Sequence, residues 1–306
     1  MTSGSADRPE AAGLIYGCAA YGAWGLLPIF WKAGAHIPAH EILAHRMLWS
    51  AITIGVILSL QRRWATVGPV LRSRRTLAFL SVTTVVIAAN WLLYIWAVNS
   101  GFILETSLGY FINPLLSVVM GIVFLKESLR RLQWLAVGLA ATGVLFMTLS
   151  YGQLPWIALG LAASFGTYGL VRKIAPVGAL LGLAMESFSL ALPSLAFLAY
   201  LESQQTGTWG SSGPGGWIYL AATGPFTFLP LLWFNQGAKQ LRLSTIGLLQ
   251  YIAPTIQLLL VVFLYGEPFT RIHLVTFSLI WTALAIFTLE GVWQERRARR
   301  RVRRGG

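Results

Sequence analysis

Ten apolar runs of bilayer length leave this chain little choice of fold. They fall near residues 13–31, 41–60, 77–98, 104–125, 133–150, 154–171, 178–200, 217–235, 244–265 and 273–292, punctuated by charged residues, glycine or proline. A crossing needs about 20 apolar residues, so ten crossings consume about 200 of the 306 and leave only short connections and ends. Backbone N–H and C=O groups find no water inside lipid, so each run must be a helix that satisfies its own. Only 11% of the residues are charged, against about 25% in soluble domains. A water-soluble fold is excluded.

The ends and connections set the orientation. Residues 1–12 are polar and contain Asp7, Arg8 and Glu10. They lack the basic start of a signal peptide, and no small-residue cleavage site ends the first run, which therefore reads as a retained helix. Cys18, the single cysteine, lies in that run, so no intramolecular disulfide forms. The net charge of +13 would suggest nucleic acid in a soluble protein, but here its distribution decides. With both termini cytoplasmic, the inner segments carry twenty Lys and Arg, the outer connections only Lys32 and Arg271, and Arg46 falls within a span. That asymmetry is the positive-inside pattern. Seven of the arginines lie between Arg296 and Arg304, in a basic tail over 293–306. Such a cluster binds anionic lipid at about 1 kcal/mol per charge, and no nucleic-acid partner is expected. The connection from Gly207 to Gly216 has five glycines but no Lys followed by Ser or Thr, so it reads as a flexible loop rather than a phosphate cradle.

The chain also repeats itself. At a shift of 140 residues Leu108, Ile112, Pro114, Glu127, Arg131, Leu139, Thr142 and Thr148 fall on Leu248, Ile252, Pro254, Glu267, Arg271, Leu279, Thr282 and Thr288. At a shift of 144, Gly22, Trp24 and Gly25 meet Gly166, Tyr168 and Gly169. The copies cover 13–150 and 154–292, with five runs in each. An odd number of crossings turns the second copy upside down, so the expected fold class is an all-α membrane protein of ten transmembrane helices in two inverted five-helix repeats. Inverted repeats supply two related gates around a shared site near the midplane. Duplication kept only for packing is the plainer alternative.

Polar residues inside lipid turn inward. Asn90, Tyr94, Trp96 and Asn99 cluster in the third run, Ser107, Tyr110 and Asn113 in the fourth, Trp233, Asn235 and Gln236 in and just beyond the eighth, and Gln250, Tyr251 and Gln257 in the ninth. Asn90 with Tyr94, and Tyr110 with Asn113, share a helix face. Each such residue can line a cavity or bond neighbouring helices together. As a binding site, Trp24, Trp91, Tyr94, Tyr110, Tyr168 and Tyr251 would supply apolar contacts and cation–π faces, while Asn90, Asn113 and Gln250 would fix polar atoms. Pro114 and Pro254 each free a carbonyl one turn earlier, as a hinge or as a static kink. Gly138 with Thr142 and Gly160 with Ser164 are small-residue pairs that suit close helix packing.

Buried charge is sparse. Arg46 and Glu186 occupy equivalent positions in the two copies, and inversion should place them at mirrored depths rather than together. Glu105 and Glu186 are the candidates for proton coupling, because a desolvated carboxylate can exchange its proton near neutral pH. His40, Glu41 and His45 miss the four-residue histidine spacing of a helical zinc site, so no metal is expected. No nucleophile, base and acid set recurs and no cofactor motif is present, so neither enzyme activity nor a cofactor is expected.

The runs Asn90 to Asn99 (NWLLYIWAVN), Leu108 to Pro114 (LGYFINP) and Leu241 to Thr245 (LRLST), followed by Gln250, Tyr251, Ile252 and Pro254, resemble the RarD (chloramphenicol-sensitivity) family, in the EamA-like branch of the drug/metabolite transporter superfamily. The likeness runs from about Gly13 to Trp293. It implies a secondary transporter of the bacterial inner membrane whose first, third, fourth, sixth, eighth and ninth helices line a central cavity. The function that follows is export of a small zwitterionic or amphipathic metabolite, or a drug-like molecule, by alternating access. A homodimer is compatible with that expectation. A channel-like facilitator and a non-transporting membrane scaffold are the alternatives.

Overall fold

The computed structural model describes residues 7–208, 210, 213–266 and 270–304, and every long element in them is a helix. Ten rods follow the ten apolar runs: α1 Asp7–Ala33, α2 Ala39–Leu60, α3 Arg74–Asn99, α4 Ile103–Leu125, α5 Arg131–Tyr151, α6 Trp156–Ile174, α7 Ala179–Ser203, α8 Pro214–Gln240, α9 in two segments, Leu243–Leu249 and Ile252–Leu259, and α10 Arg271–Arg304. Among the described residues, nine of these rods, with α9 taken across its break, are long and apolar enough to span a membrane. The tenth, α6, has 19 residues and carries Arg172 and Lys173 in its last turn.

Local sequence sets the helix ends. The Ser73 hydroxyl accepts from Thr76 N at the start of α3, and the Gln133 side chain accepts from Arg130 N at the start of α5, each satisfying a backbone donor near a helix start. Gly152, at φ +80°, stops α5 in the left-handed conformation that glycine adopts without a Cβ penalty.

Inversion is visible in the packing of equivalent helices. Along α4 and α9, Glu127 meets Leu243 and Ser244, Gly247 meets Pro114 and Ser117, and Tyr251 meets Phe111. One number falls as the other rises, so α4 and α9 run antiparallel. The same holds for α5 and α10, where Arg130 pairs with Glu290 and Gly143 lies against Thr276. Two copies whose matching helices lie side by side in opposite directions are related by a pseudo-two-fold axis, as the odd number of crossings requires. Helices α2 and α7, also equivalent, pack together as well. Around these pairs, α1 packs on α8 as α6 does on α3, and α1 packs on α9 as α6 does on α4.

Gly160 and Ser164 sit at a close contact, with Leu93 of α3 against the glycine and Asn90 bonded to the serine. The other small-residue pair is corrected: Gly138 has open space around it and Thr142 is exposed. Gly143 makes the approach of α5 to α10, because glycine spacing along one helix does not reveal which face is covered.

Candidate functional site

The helices place two charged groups at different depths. The bundle has a tail end, where α1 begins and α10 finishes, and a far end. Arg46 lies in the far half, on α2. Its Nε donates to the Thr227 hydroxyl on α8 at 2.9 Å. The guanidinium lies over the rings of Trp31, 4.9 Å from the centroid, and Trp91, at 5.6 Å, the geometry of a cation–π contact. Tyr94, Tyr110 and Tyr219 lie within its electrostatic reach, and Tyr94 and Tyr110 lie close to each other. Five helices, α1, α2, α3, α4 and α8, thus converge on one cation. Tyr110 nevertheless remains 43% exposed and Tyr94 37%. Side chains gathered from five helices point inward, so this exposure marks open space between the rods.

Glu186, on α7 in the tail half, sits in a closed network. Its carboxylate accepts from Thr83 of α3 at 2.5 Å and from the Tyr168 hydroxyl of α6 at 3.1 Å, with Arg172 Nε at 3.6 Å. Asn235 of α8 completes the ring, donating to the Tyr168 hydroxyl at 3.0 Å and accepting from Arg172 Nε at 3.2 Å. All five side chains are buried. Arg172 also donates to the Ala179 carbonyl at 3.1 Å. Gly182 makes room for it, since a Cβ there would fall 1.9 Å from Nη1. Arg172 stands one residue past the apolar run 154–171, where it counts among the basic residues of an inner connection; the structure corrects this to a fully buried ion pair in the last turn of α6. The available signal was a basic residue ending an apolar run shortly before an intramembrane glutamate.

Arg46 and Glu186 do not meet. A cavity of about 10 Å³ lies between their surroundings, bounded by Trp91 and Thr227 on the Arg46 side and by Tyr168 and Glu186 on the other. That volume matches about one water molecule. Beside it, Trp24 packs on Phe165 at 5.8 Å, Phe165 on Phe234 at 5.2 Å, and Phe234 stacks on Tyr168 at 6.1 Å, an aromatic layer that joins α1, α6 and α8.

The other expected site residues fall elsewhere. Asn90 donates to the Leu161 carbonyl and to Ser164, tying α3 to α6. Gln250 donates to Ser117, and the Tyr251 hydroxyl to the Phe111 carbonyl, tying α9 to α4. Asn113 is buried, and its Oδ1 has no hydrogen-bond partner among the described residues. Glu105 accepts from Ile157 N at 3.0 Å and from Tyr151 at 3.1 Å, capping α6 at the far end. Helix α4 runs unbroken through Pro114, whereas α9 breaks at Gln250 and Tyr251. Pro254 has no N–H, so the Gln250 carbonyl bonds Ala253 N instead. Glu267 lies outside the described residues.

The tail end is tied shut. Glu127 accepts from Leu243 N at 2.6 Å, Ser244 N at 2.9 Å and the Ser244 hydroxyl at 2.6 Å. Lys173 donates to the Ala238 carbonyl at 3.0 Å and also to Leu241, and Lys239 to the Ala175 carbonyl at 2.6 Å. At the far end Glu41, fully buried, holds Thr208 through its backbone N–H and hydroxyl. Lys173 did not stand out in the sequence, and Glu41 did so only beside two histidines in a metal reading set aside, because a charged residue at a helix end reads as solvated.

Comparison with known proteins places these features. The model of the EamA-like transporter family matches twice, over residues 11–149 and 154–289. The chain is 45% identical to Protein RarD of Streptomyces exfoliatus, over 97% of this chain and 94% of that protein. It is 44% identical to the uncharacterized transporter YojE of Bacillus subtilis, over 92% and 94%, and 43% identical to Protein RarD of Escherichia coli, over 93% and 96%. A solved crystal structure with 18% identity superposes with a TM-score of 0.72 over 92% of this chain and 98% of that one, which supports the fold. With its apolar helices and these relatives, this multi-pass membrane protein belongs to the EamA-like transporter family.

Proposed function

We propose that the chain exports small amphipathic or zwitterionic metabolites, or drug-like molecules, by alternating access across the bacterial inner membrane, with both termini cytoplasmic. One observation carries this reading: two contacts that the repeat makes equivalent are in opposite states. At the tail end α6 packs on α8 through Arg172, Asn235, Lys173 and Ala238. Their counterparts α1 and α3, among the described residues, scarcely touch, and Tyr94 and Tyr110 face the space left at the far end. A carrier caught open to one side has this asymmetry.

In this reading α1, α8 and α9 rock as one group against α3, α4 and α6, each group drawn from both copies, and the crevice around Trp91, Tyr94 and Tyr110 holds the substrate, with the layer of Trp24 and Tyr168 beneath it. Opening the tail end breaks the bonds of Lys173, Lys239 and Glu127. Protonation of Glu186 would cancel its attraction to Arg172 and loosen α7 from α6, which makes it the coupling group. Residues 293–306 rest on anionic lipid. The test is flux in vesicles reconstituted with the full chain. A carrier saturates with substrate concentration and responds to an imposed pH gradient. Flux that rises linearly without limit would indicate a channel and overturn the reading.

A further inference from the structure

Arg46 is a cation without a counterion. Among the described residues no carboxylate lies within ion-pair distance of it, and the groups in its electrostatic reach are the tyrosines. Its Nε is committed to Thr227, while neither terminal nitrogen has an acceptor among the described residues. Two tryptophan faces fix the plane of the guanidinium. Such a charge is costly at this depth and usually marks a partner or a water-filled path. Around the crevice and cavity the charges are half-buried Arg46 and the buried pair of Arg172 and Glu186, and the last two neutralise each other. One positive charge is left over, facing open space.

We propose that Arg46 is the receptor for the anionic oxygens of a monoanionic substrate, a carboxylate on an apolar body, with its terminal N–H groups donating in a fork and Tyr94, Tyr110, Trp31 and Trp91 enclosing the body. The inference deepens the transport reading and rests on it for the word substrate. A fork of two parallel N–H donors matches a carboxylate, and stacked arginine holds that fork in place where lysine would not. Glu186 cannot serve as an equal receptor for an ammonium group, because Thr83, Tyr168 and Arg172 already occupy its oxygens. A lipid phosphate carries the same kind of oxygen, so the test separates the two sources.

Full-length protein in neutral detergent is titrated with benzoate, benzamide and benzylammonium, which share one ring and differ in charge, and binding is read from the shift in melting temperature. Benzoate is expected to bind at least about tenfold more tightly than benzamide, the weight of one charge-assisted contact, and benzylammonium more weakly still. Arg46→Gln removes the preference for benzoate and Arg46→Lys restores part of it. Equal binding of benzoate and benzamide, or a preference that survives Arg46→Gln, overturns the proposal. If Arg46→Gln does not fold, Thr227→Val replaces it: with the guanidinium no longer oriented, benzoate binding weakens while benzamide binding stays, and an unchanged ratio overturns the proposal. In a parallel arm, stabilisation by phosphatidylglycerol but not by benzoate assigns Arg46 to lipid and overturns the substrate role. Benzoate binding without saturable flux of any solute would sink the carrier reading alone, and saturable flux indifferent to charge would sink the anion receptor alone.

Discussion

Gly247 of α9 lies against the carbonyl of Pro114 on α4: a Cβ added to the glycine would stand 2.9 Å from that oxygen and equally close to Ser117 Cβ. The contact sits where two equivalent helices cross, so the approach of the two copies is fixed by backbone rather than by adaptable side chains. Gly247→Ala should cost about 1 to 3 kcal/mol, the usual penalty of overpacking. Gly138→Ala, with open space around it, should cost nothing or stabilise. Melting of the two variants in detergent checks the difference.

The buried pair of Arg172 and Glu186 should behave as a unit. Removing one partner leaves an uncompensated charge, at a cost of about 3 to 5 kcal/mol. Glu186→Leu and Arg172→Met are each expected to be strongly destabilised, and the double variant less so than the sum of the two. A double-mutant cycle measures the coupling, and simple additivity would show that the pair does not act as one.

Asn90 and Tyr110 should separate stability from transport. Asn90 spends its amide on Leu161 and Ser164, so Asn90→Ala should lower stability by about 1 to 3 kcal/mol and leave substrate affinity alone. Tyr110→Ala removes a half-open aromatic face, and should raise KM while the melting temperature hardly moves. Flux and melting of both variants test the assignment, and a reversal of the two effects would exchange their roles.

Accessibility tests which side is open. In a Cys18→Ser background, cysteine at Tyr110 should react with an impermeant maleimide added from the far side, and cysteine at Ala238, buried in the tail-end closure, should not react from either. Lys239→Ala removes one tie to Ala175 and should raise tail-side labelling at Ala238.

The spans and their pairing were legible because lipid leaves one solution for the backbone and because duplication leaves matching letters at a fixed shift, as at Pro114 and Pro254. The mirrored depths of Arg46 and Glu186 followed from the same parity. What lines open space and what joins helices was not legible: Asn90 and Tyr94 share a helix face, yet Asn90 is spent on α6 while Tyr94 faces the crevice. Helix rotation decides between them, and one polar letter carries no record of it. Arg172 was misplaced for a related reason, since a basic residue ending an apolar run looks the same whether it faces water or a buried glutamate.

The break in α9 at Gln250 and Tyr251 has no counterpart in α4, although both carry the matched proline. One copy therefore owns a joint where the other owns a rigid lever, and the two cannot move as mirror images. Under the alternating access proposed above, α4 would swing whole while α9 would bend midway, so the two end states would differ in shape although the blueprint is nearly symmetrical.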